Sequence, residues 1–258
     1  ILPALHVIRR VGDNWVARGS VTKTIARPKY TDLVPREIVG VSGARFSDSA
    51  DLPNFNLMPM ESVNYDLSLS YFFDTFGLVS LAAYYKDLDG PIYREIKTLS
   101  LTDPVAQALT DRYFSNPLDI PEWSTSTMKN AGDGELLGVE FTIEKRFTKL
   151  PSPLDGLGVS ANATFIDSEV ELLAEDREGE KVPLFLQSDR LANLSLYYEK
   201  YDFFVKLSWS LRGKYLDNTI LSGSDLDALK KLGLPENSLD IWNDDYERLD
   251  LLLEYRPT

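Results

Sequence analysis

The chain has no cysteine. Disulfide scaffolds, thiolate metal sites and thiol nucleophiles are therefore out of reach. Histidine is almost as scarce. A single His6 argues against a histidine-based zinc centre or a Ser-His-Asp triad, and it reads as a strand side chain. No stretch approaches the roughly 18 consecutive apolar residues that a membrane-crossing helix needs. Basic charge is short as well, with 27 Lys and Arg against 40 Asp and Glu for a net charge of −13. Nucleic-acid binding needs basic patches, so it is not expected. The acid is concentrated in the connectors, and residues 167–181, with seven Asp and Glu against Arg177 and Lys181, read as a solvated one. The opening Ile1-Leu2-Pro3-Ala4-Leu5 shows neither a basic leader region nor a cleavage site. The chain is accordingly expected to be cytosolic or a piece of something longer. None of these absences excludes a membrane crossed by strands, because a barrel strand shows lipid only its alternate residues.

What is present is alternation. In residues 63–73, Val63, Tyr65, Leu67, Leu69, Tyr71 and Phe73 occupy every second position, with Asn64, Asp66, Ser68 and Ser70 among those between. Period two means a strand with one apolar and one polar face. The pattern recurs in segments of ~10 residues, the length of a tilted membrane-spanning strand. About nine strands are predicted, near residues 4–11, 15–25, 63–73, 78–86, 135–148, 157–165, 191–199, 203–214 and 246–256. Turn sequences near 12–14, 74–77, 150–156 and 200–202 are short. The connectors after Ile25, Lys86, Phe165 and Lys214 are long. Strict interleaving of short and long is the rhythm of a transmembrane barrel and not of a Greek-key sandwich. Two connectors carry short-helix signals. One is Thr102 or Asp103 as cap with Pro104 in the first turn, and the other starts at Ser224 and stops near Gly233.

Aromatic residues gather at the strand ends. Trp15, Phe73, Phe76, Phe147, Tyr198 and Phe203 flank the short turns, and Tyr65, Tyr85 and Phe165 lie near the long connectors. This matches the two aromatic girdles of a membrane barrel. Two motifs carry no function. Asp87-Leu88-Asp89-Gly90 lacks the rest of a calcium loop. The sequons at Asn162 and Asn193 fall inside predicted strands.

Five strings carry a resemblance. They are Thr24-Ile25-Ala26-Arg27-Pro28-Lys29-Tyr30-Thr31-Asp32-Leu33, residues 57–67 (LMPMESVNYDL), Gly134-Glu135-Leu136-Leu137-Gly138-Val139-Glu140, residues 187–194 (QSDRLANL) and residues 245–250 (DYERLD). In this order and spread, they resemble the barrel of TonB-dependent receptors and lean to its oligosaccharide-taking branch. The departures are informative. No plug domain or TonB-engaging box is visible, far fewer than the family's 22 strands are present, and the chain stops at Arg256-Pro257-Thr258 without a terminal aromatic strand. Asn56-Leu57-Met58-Pro59 stands where the family segment has Asn-Pro. Residues 1–258 are thus expected to form one partial barrel domain, interior to late and truncated at both ends.

The expected fold is all-β: an antiparallel up-and-down meander of about nine strands, part of a transmembrane β-barrel, with short helices in long loops. Every strand is expected to pair with its sequence neighbours, leaving an open sheet with two unpaired edges. The resemblance implies an outer-membrane receptor for TonB-dependent uptake of an oligosaccharide or siderophore-type nutrient, with no catalysis and no cofactor or metal. Its implied partners are outer-membrane lipid and lipopolysaccharide, the TonB complex acting through the absent plug, and a small-molecule ligand. Strand parity places Asn64, Asp66, Tyr84, Lys86, Glu140, Asn162, Thr164, Ser210 and Arg212 on the lumen face toward the outer mouth. Trp123 and Trp242 in the long loops are candidates to stack on a ligand ring. Alternation alone leaves two rivals: a passive porin or autotransporter barrel, and a soluble sugar-binding β-sandwich.

Overall fold

The computed structural model describes residues 2–34, 38–40, 48–73, 76–100, 102–113, 122–174, 177–220 and 223–257. In chain order, β1 (Ala4–Val11) and β2 (Trp15–Ala26) make the first hairpin. The connector after it holds one helical turn, α1 (Tyr30–Leu33), and two short strands, β3 (Ile38–Gly40) and β4 (Asp48–Leu52). The second hairpin is β5 (Met60–Phe72) with β6 (Gly77–Asp89). The next connector folds into β7 (Ile92–Ser100), α2 (Pro104–Tyr113) and β8 (Glu122–Asn130). β9 (Gly134–Arg146) and β10 (Leu157–Glu171) form the third hairpin, and the connector after it contributes β11 (Lys181–Val182). β12 (Arg190–Lys200) and β13 (Phe203–Arg212) are the fourth. The last connector carries β14 (Tyr215–Ile220), α3 (Gly223–Leu232) and β15 (Ile241–Asn243), and leads into β16 (Tyr246–Tyr255).

Nine of these strands build one wall in the order β1-β2-β5-β6-β9-β10-β12-β13-β16, with β11 attached to β10. Every adjacent pair in it is antiparallel. The wall does not close, and its edges are β1 and β16. The expected open meander is what forms. The wall strands follow one another in chain order, without the Greek-key connections of a sandwich.

The polarity of the wall is inverted relative to a soluble sheet. Leu67, Leu249, Leu251 and Leu253 are more than three-fifths exposed, whereas Ser62, Asn64 and Ser70 on the other face are buried. Register explains how one apolar surface forms. Leu69, Leu81 and Phe141 stand side by side, as do Val159, Leu196, Leu207 and Leu251. The polar face is lined the same way by Ser70, Ser80, Thr142, Asn162, Asn193 and Ser210.

β6 and β10 run past their predicted ends, to Asp89 and Glu171. Beyond Lys86 and Phe165 the apolar positions become Asp87 and Asp89, or Asp167, Glu169 and Glu171. The other face carries buried Leu88 and Val170, so the polarity of the two faces inverts while the hydrogen-bond ladder continues. The short turns are compact. Tyr201 and Asp202 both have positive φ, 54° and 63°, between the paired Lys200 and Phe203. That is a two-residue type I′ turn, whose twist matches the strands it joins. Of the predicted turn at 74–77, residues 74–75 lie outside those described. The aromatics cluster beside these turns, with Trp15 4.9 Å from Tyr71, Tyr71 5.1 Å from Phe73, and Phe203 4.8 Å from Tyr255.

The long connectors depart from expectation. Their strands form a second sheet in the order β15-β14-β7-β8-β4-β3. Two of its pairings, β14 with β7 and β4 with β8, are parallel and join different connectors. Pairing only with sequence neighbours therefore holds for the wall and fails here. The connectors are long enough to reach one another, which parallel pairing requires. Helix α2 starts as predicted. Asp103 Oδ1 accepts from the Val105 amide at 2.8 Å, and Pro104 occupies the first turn. Helix α3 begins at Gly223, one residue before the predicted Ser224 cap, whose side chain lies outside those described. It ends at Gly233, φ 68°, with the Leu234 amide bonded to the Leu229 carbonyl, a Schellman closure.

Candidate functional site

A groove of about 570 Å³ lies on the polar face of the wall. Cross-strand register sets its two rows. Ser20, Asp66, Tyr84 and Gly138 are direct neighbours in one, and Arg18, Ser68, Ala82, Glu140 and Thr164 in the next. Lys86 stands one position closer to the long connectors, opposite Asn64.

Each side chain is held by its surroundings. Ser20 Oγ donates to Asp66 Oδ2 at 2.9 Å. The Tyr84 ring lies along the sheet because Gly138 beside it has no Cβ. A Cβ there would sit 2.2 Å from Tyr84 Cζ. Gly158 makes room for Tyr197 in the same way, at 2.1 Å. Lys86 Nζ is 5.7 Å from the Tyr84 ring centroid, a cation over an aromatic face. Arg18 reaches Ser70 Oγ at 3.4 Å. The groove thus offers two cations, Arg18 and Lys86, and two carboxylates, Asp66 and Glu140. Balanced charge around hydroxyl and phenol groups suits a ligand rich in hydrogen-bonding groups.

Of the residues predicted from parity, Asp66, Tyr84, Lys86 and Glu140 line this groove together. Thr164 flanks it beside Glu140. Asn64 faces the same side but is tied into the wall. Its Nδ2 donates to Thr24 Oγ1 at 3.1 Å and to Thr22, and its Oδ1 accepts from Ser62 at 2.8 Å. Asn162 and Ser210 form a separate patch across Asn193, which donates to Asn162 Oδ1 at 3.0 Å. Arg212 sits at the rim, donating to Ser188 Oγ at 3.0 Å with its guanidinium 4.2 Å over Tyr215. His6, Arg18 and Gln187 also line the groove and were not among the candidates. Parity on β1 and β2 would have found the first two. Gln187 lies in a connector where no period speaks. Among the described residues, no group of three or more His, Asp or Glu is placed to hold a metal ion.

Trp123 does not stand over the mouth. It is completely buried among Ala50, Leu99, Ala106 and Leu109, and its Nε1 donates to Thr110 Oγ1 at 2.9 Å. An indole with a satisfied N–H inside an apolar cluster is core and not a stacking platform. Trp242 is nearly half exposed on β15, with Lys214 Nζ 5.4 Å from its ring.

A second cluster joins wall and connectors: Tyr93, Ala131, Val170, Leu172, Ala174, Val182 and Leu216, with Phe185 stacked on Tyr93 at 5.3 Å. Nearby, the Arg177 side chain is wholly buried. It donates to both oxygens of Glu180 at 2.5 and 2.6 Å and to both oxygens of Asp240 at 2.5 and 3.0 Å. Burial alone would lower its pKa, but the two carboxylates outweigh that and hold it above the ordinary value. The link ties the connector after β10 to the one after β13.

Comparison with curated protein sequences finds no match. Comparison with solved structures finds the siderophore receptor PirA from Acinetobacter baumannii, with TM-score 0.58 and 14% identity over 98% of this chain and 34% of that one. It also finds a mutant ferric enterobactin receptor PfeA from Pseudomonas aeruginosa in complex with enterobactin, with TM-score 0.58 and 16% identity over 100% of this chain and 33% of that one. The copper transporter OprC aligns with TM-score 0.57 and 14% identity over 99% and 31%. The chain spans about a third of the length of these receptors. The family model "TonB dependent receptor-like, beta-barrel" matches residues 1–258. The open antiparallel wall and this match agree, and the chain belongs to the TonB-dependent receptor β-barrel family, of which it is a barrel fragment.

Proposed function

We propose that the chain is part of an outer-membrane receptor for TonB-dependent uptake of a scarce nutrient, an oligosaccharide or siderophore-type molecule. The observation that carries this reading is a groove of balanced charges on one face of a wall whose other face exposes its leucines. Such a wall puts lipid, including lipopolysaccharide, on the apolar side and a hydrated lumen on the other. The long connectors face outward and the short turns face the periplasm. Asp66, Tyr84, Lys86 and Glu140 contact the ligand in the groove. Asn64, Asn162, Thr164, Ser210 and Arg212 extend the polar wall, and Trp242 stands at the rim. The TonB complex acts through a plug domain, and residues 1–258 act as one barrel domain. The solved relatives named for siderophore, enterobactin and copper support the uptake class.

The test is uptake by cells carrying the intact receptor, with a ferric catecholate, a linear oligosaccharide and Cu²⁺ as probes. One probe should accumulate, and collapse of the proton gradient should stop it. Accumulation that survives the collapse would make the barrel a passive pore. In binding assays on the purified receptor, Asp66→Asn combined with Lys86→Met should weaken the accepted probe by about tenfold, the loss of ~1.4 kcal/mol of hydrogen bonding.

A further inference from the structure

The two rims of the apolar face differ in charge. Toward the long connectors its positions are taken by Asp87, Asp89, Glu135, Asp167, Glu169 and Glu171, against Lys181 and a Lys23–Glu61 ion pair. Toward the short turns the same face carries Arg9, opposite Ala17, then Lys145, opposite Gly77, and Lys200, opposite Phe203. Lys200 is engaged by Asp155 Oδ1 at 2.5 Å and by Ser152. One rim is therefore acidic and the other basic.

A pocket of about 260 Å³ opens at the basic rim. Tyr71, Phe73 and Phe147 wall it, and Lys145, Thr148 and Lys149 supply polar groups. Among the described residues no carboxylate lines it. The Lys145 stem crosses Gly77, where a Cβ would sit 2.8 Å from Lys145 Cδ. Its Nζ ends 4.2 Å from the Phe73 ring centroid. A ring face holds an ammonium without cancelling its charge. Arg146 also borders the pocket, but Glu199 takes up its guanidinium at 3.5 Å. Glu144, opposite Ser160, belongs to the polar face. Tyr71 shares its row with Val79 and Ile143, so the pocket runs directly onto the apolar wall. A molecule that fills it needs an anion at one end and apolar chains at the other. An anionic phospholipid has both.

We propose that this pocket seats the headgroup phosphate of an anionic phospholipid, with Lys145 and Lys149 as its cations, Thr148 as a hydroxyl donor and an acyl chain along Val79 and Ile143. The proposal rests on the reading that the apolar face meets membrane lipid with its short turns toward the periplasm, and it adds a headgroup-selective site in the periplasmic leaflet. Dispersion contact along the chain supplies attraction, and the two ammonium groups supply the preference. The acidic rim repels the same headgroup, which confines the preference to one end of the wall.

The experiment is native mass spectrometry of the detergent-purified intact receptor, titrated with phosphatidylglycerol or phosphatidylethanolamine of identical chains. Phosphatidylglycerol should bind about twentyfold more tightly, at roughly fivefold per lysine. Lys145→Gln with Lys149→Gln should bring the two lipids level, while heat-modifiable migration shows an assembled barrel. Lys149→Gln alone, a change in an exposed turn, should remove about fivefold of the preference. Lys97→Gln with Lys231→Gln, an equal loss of charge on β7 and α3, should change nothing. Equal binding of the two lipids by the wild type would overturn the proposal, as would a preference that survives the first double variant or falls equally in the second. Glycerol phosphate should not displace the lipid, and displacement would make the occupant a soluble phosphate and overturn the proposal too. A receptor recovered in soluble form without detergent would instead sink the membrane reading itself.

Discussion

Replacing Asp240 by alanine removes half the partners of a guanidinium that has no contact with solvent. Arg177 keeps its two bonds to Glu180 and loses the two that reach across to the neighbouring connector. Breaking a buried ion pair from one side costs about 3–5 kcal/mol, because the remaining charge stays desolvated. The least costly escape is local opening of the junction, with the wall intact. At 1.4 kcal/mol per tenfold, the opening equilibrium should rise roughly one-hundred- to several-thousand-fold. Hydrogen exchange of the intact receptor reads this at Leu172, Gly179 and Glu180, whose amides bond to Glu180, Leu172 and Arg177 carbonyls at 2.9, 2.9 and 3.1 Å. Amides of the β12–β13 hairpin serve as the internal control and should not change. Arg177→Met combined with Asp240→Leu should restore most of the protection, since an apolar pair leaves no stranded charge. If Asp240→Ala changes exchange at these amides by less than about threefold, the link is solvated in solution and the tie between the two connectors is not real.

Three other outcomes are expected. Leu69→Arg should cost ~2–4 kcal/mol at mid-membrane and impair assembly, while Ser68→Arg on the polar face should be tolerated; heat-modifiable migration of the intact receptor measures both, and equal tolerance would mean that the faces are misassigned. Gly138→Ala should force the Tyr84 ring off the sheet and destabilise the barrel by about 1–3 kcal/mol in urea unfolding, with Tyr84→Ala in the same chain relieving most of the loss. Trp123→Ala should open the core around helix α2 at a cost of about 3–5 kcal/mol, seen as new protease sites in the connectors with no change in the wall.

The wall was legible in the sequence because a membrane strand announces itself twice, by period two and by aromatic ends. Leu69 and Ser70, or Phe141 and Thr142, can hardly be assigned to the wrong faces once that period is seen. The ends of β6 and β10 were less legible because the contrast between faces reverses there, with Asp87 and Glu169 on the formerly apolar face and buried Leu88 and Val170 on the other. The connector sheet was not legible at all. β8 reads Glu-Trp-Ser-Thr-Ser-Thr-Met-Lys-Asn, a sequence that suits an exposed loop as well as a strand, and its partners β4 and β7 lie on either side of it only after other elements have folded. Trp123 misled for the same reason. Glu122 and Ser124 on either side of it are polar, and the cluster that buries it comes from β4, β7 and α2. In the groove, the candidates found by parity on β5, β6 and β9 fell together, whereas Gln187 arrived from a connector that carries no periodic signal.

The parallel pairings of the connector sheet impose an order on assembly. Each wall hairpin closes a short turn, so its contacts are local and form early. The partner of Thr219 is Glu95, with two complete wall hairpins between them in the chain, and the partner of Asp48 is Trp123, with one between. Closing loops of that span is entropically costly until the intervening hairpins are laid side by side. The connector sheet is therefore the last part to condense, a clasp that forms only on a finished wall. Its formation can serve as a kinetic marker of completed insertion.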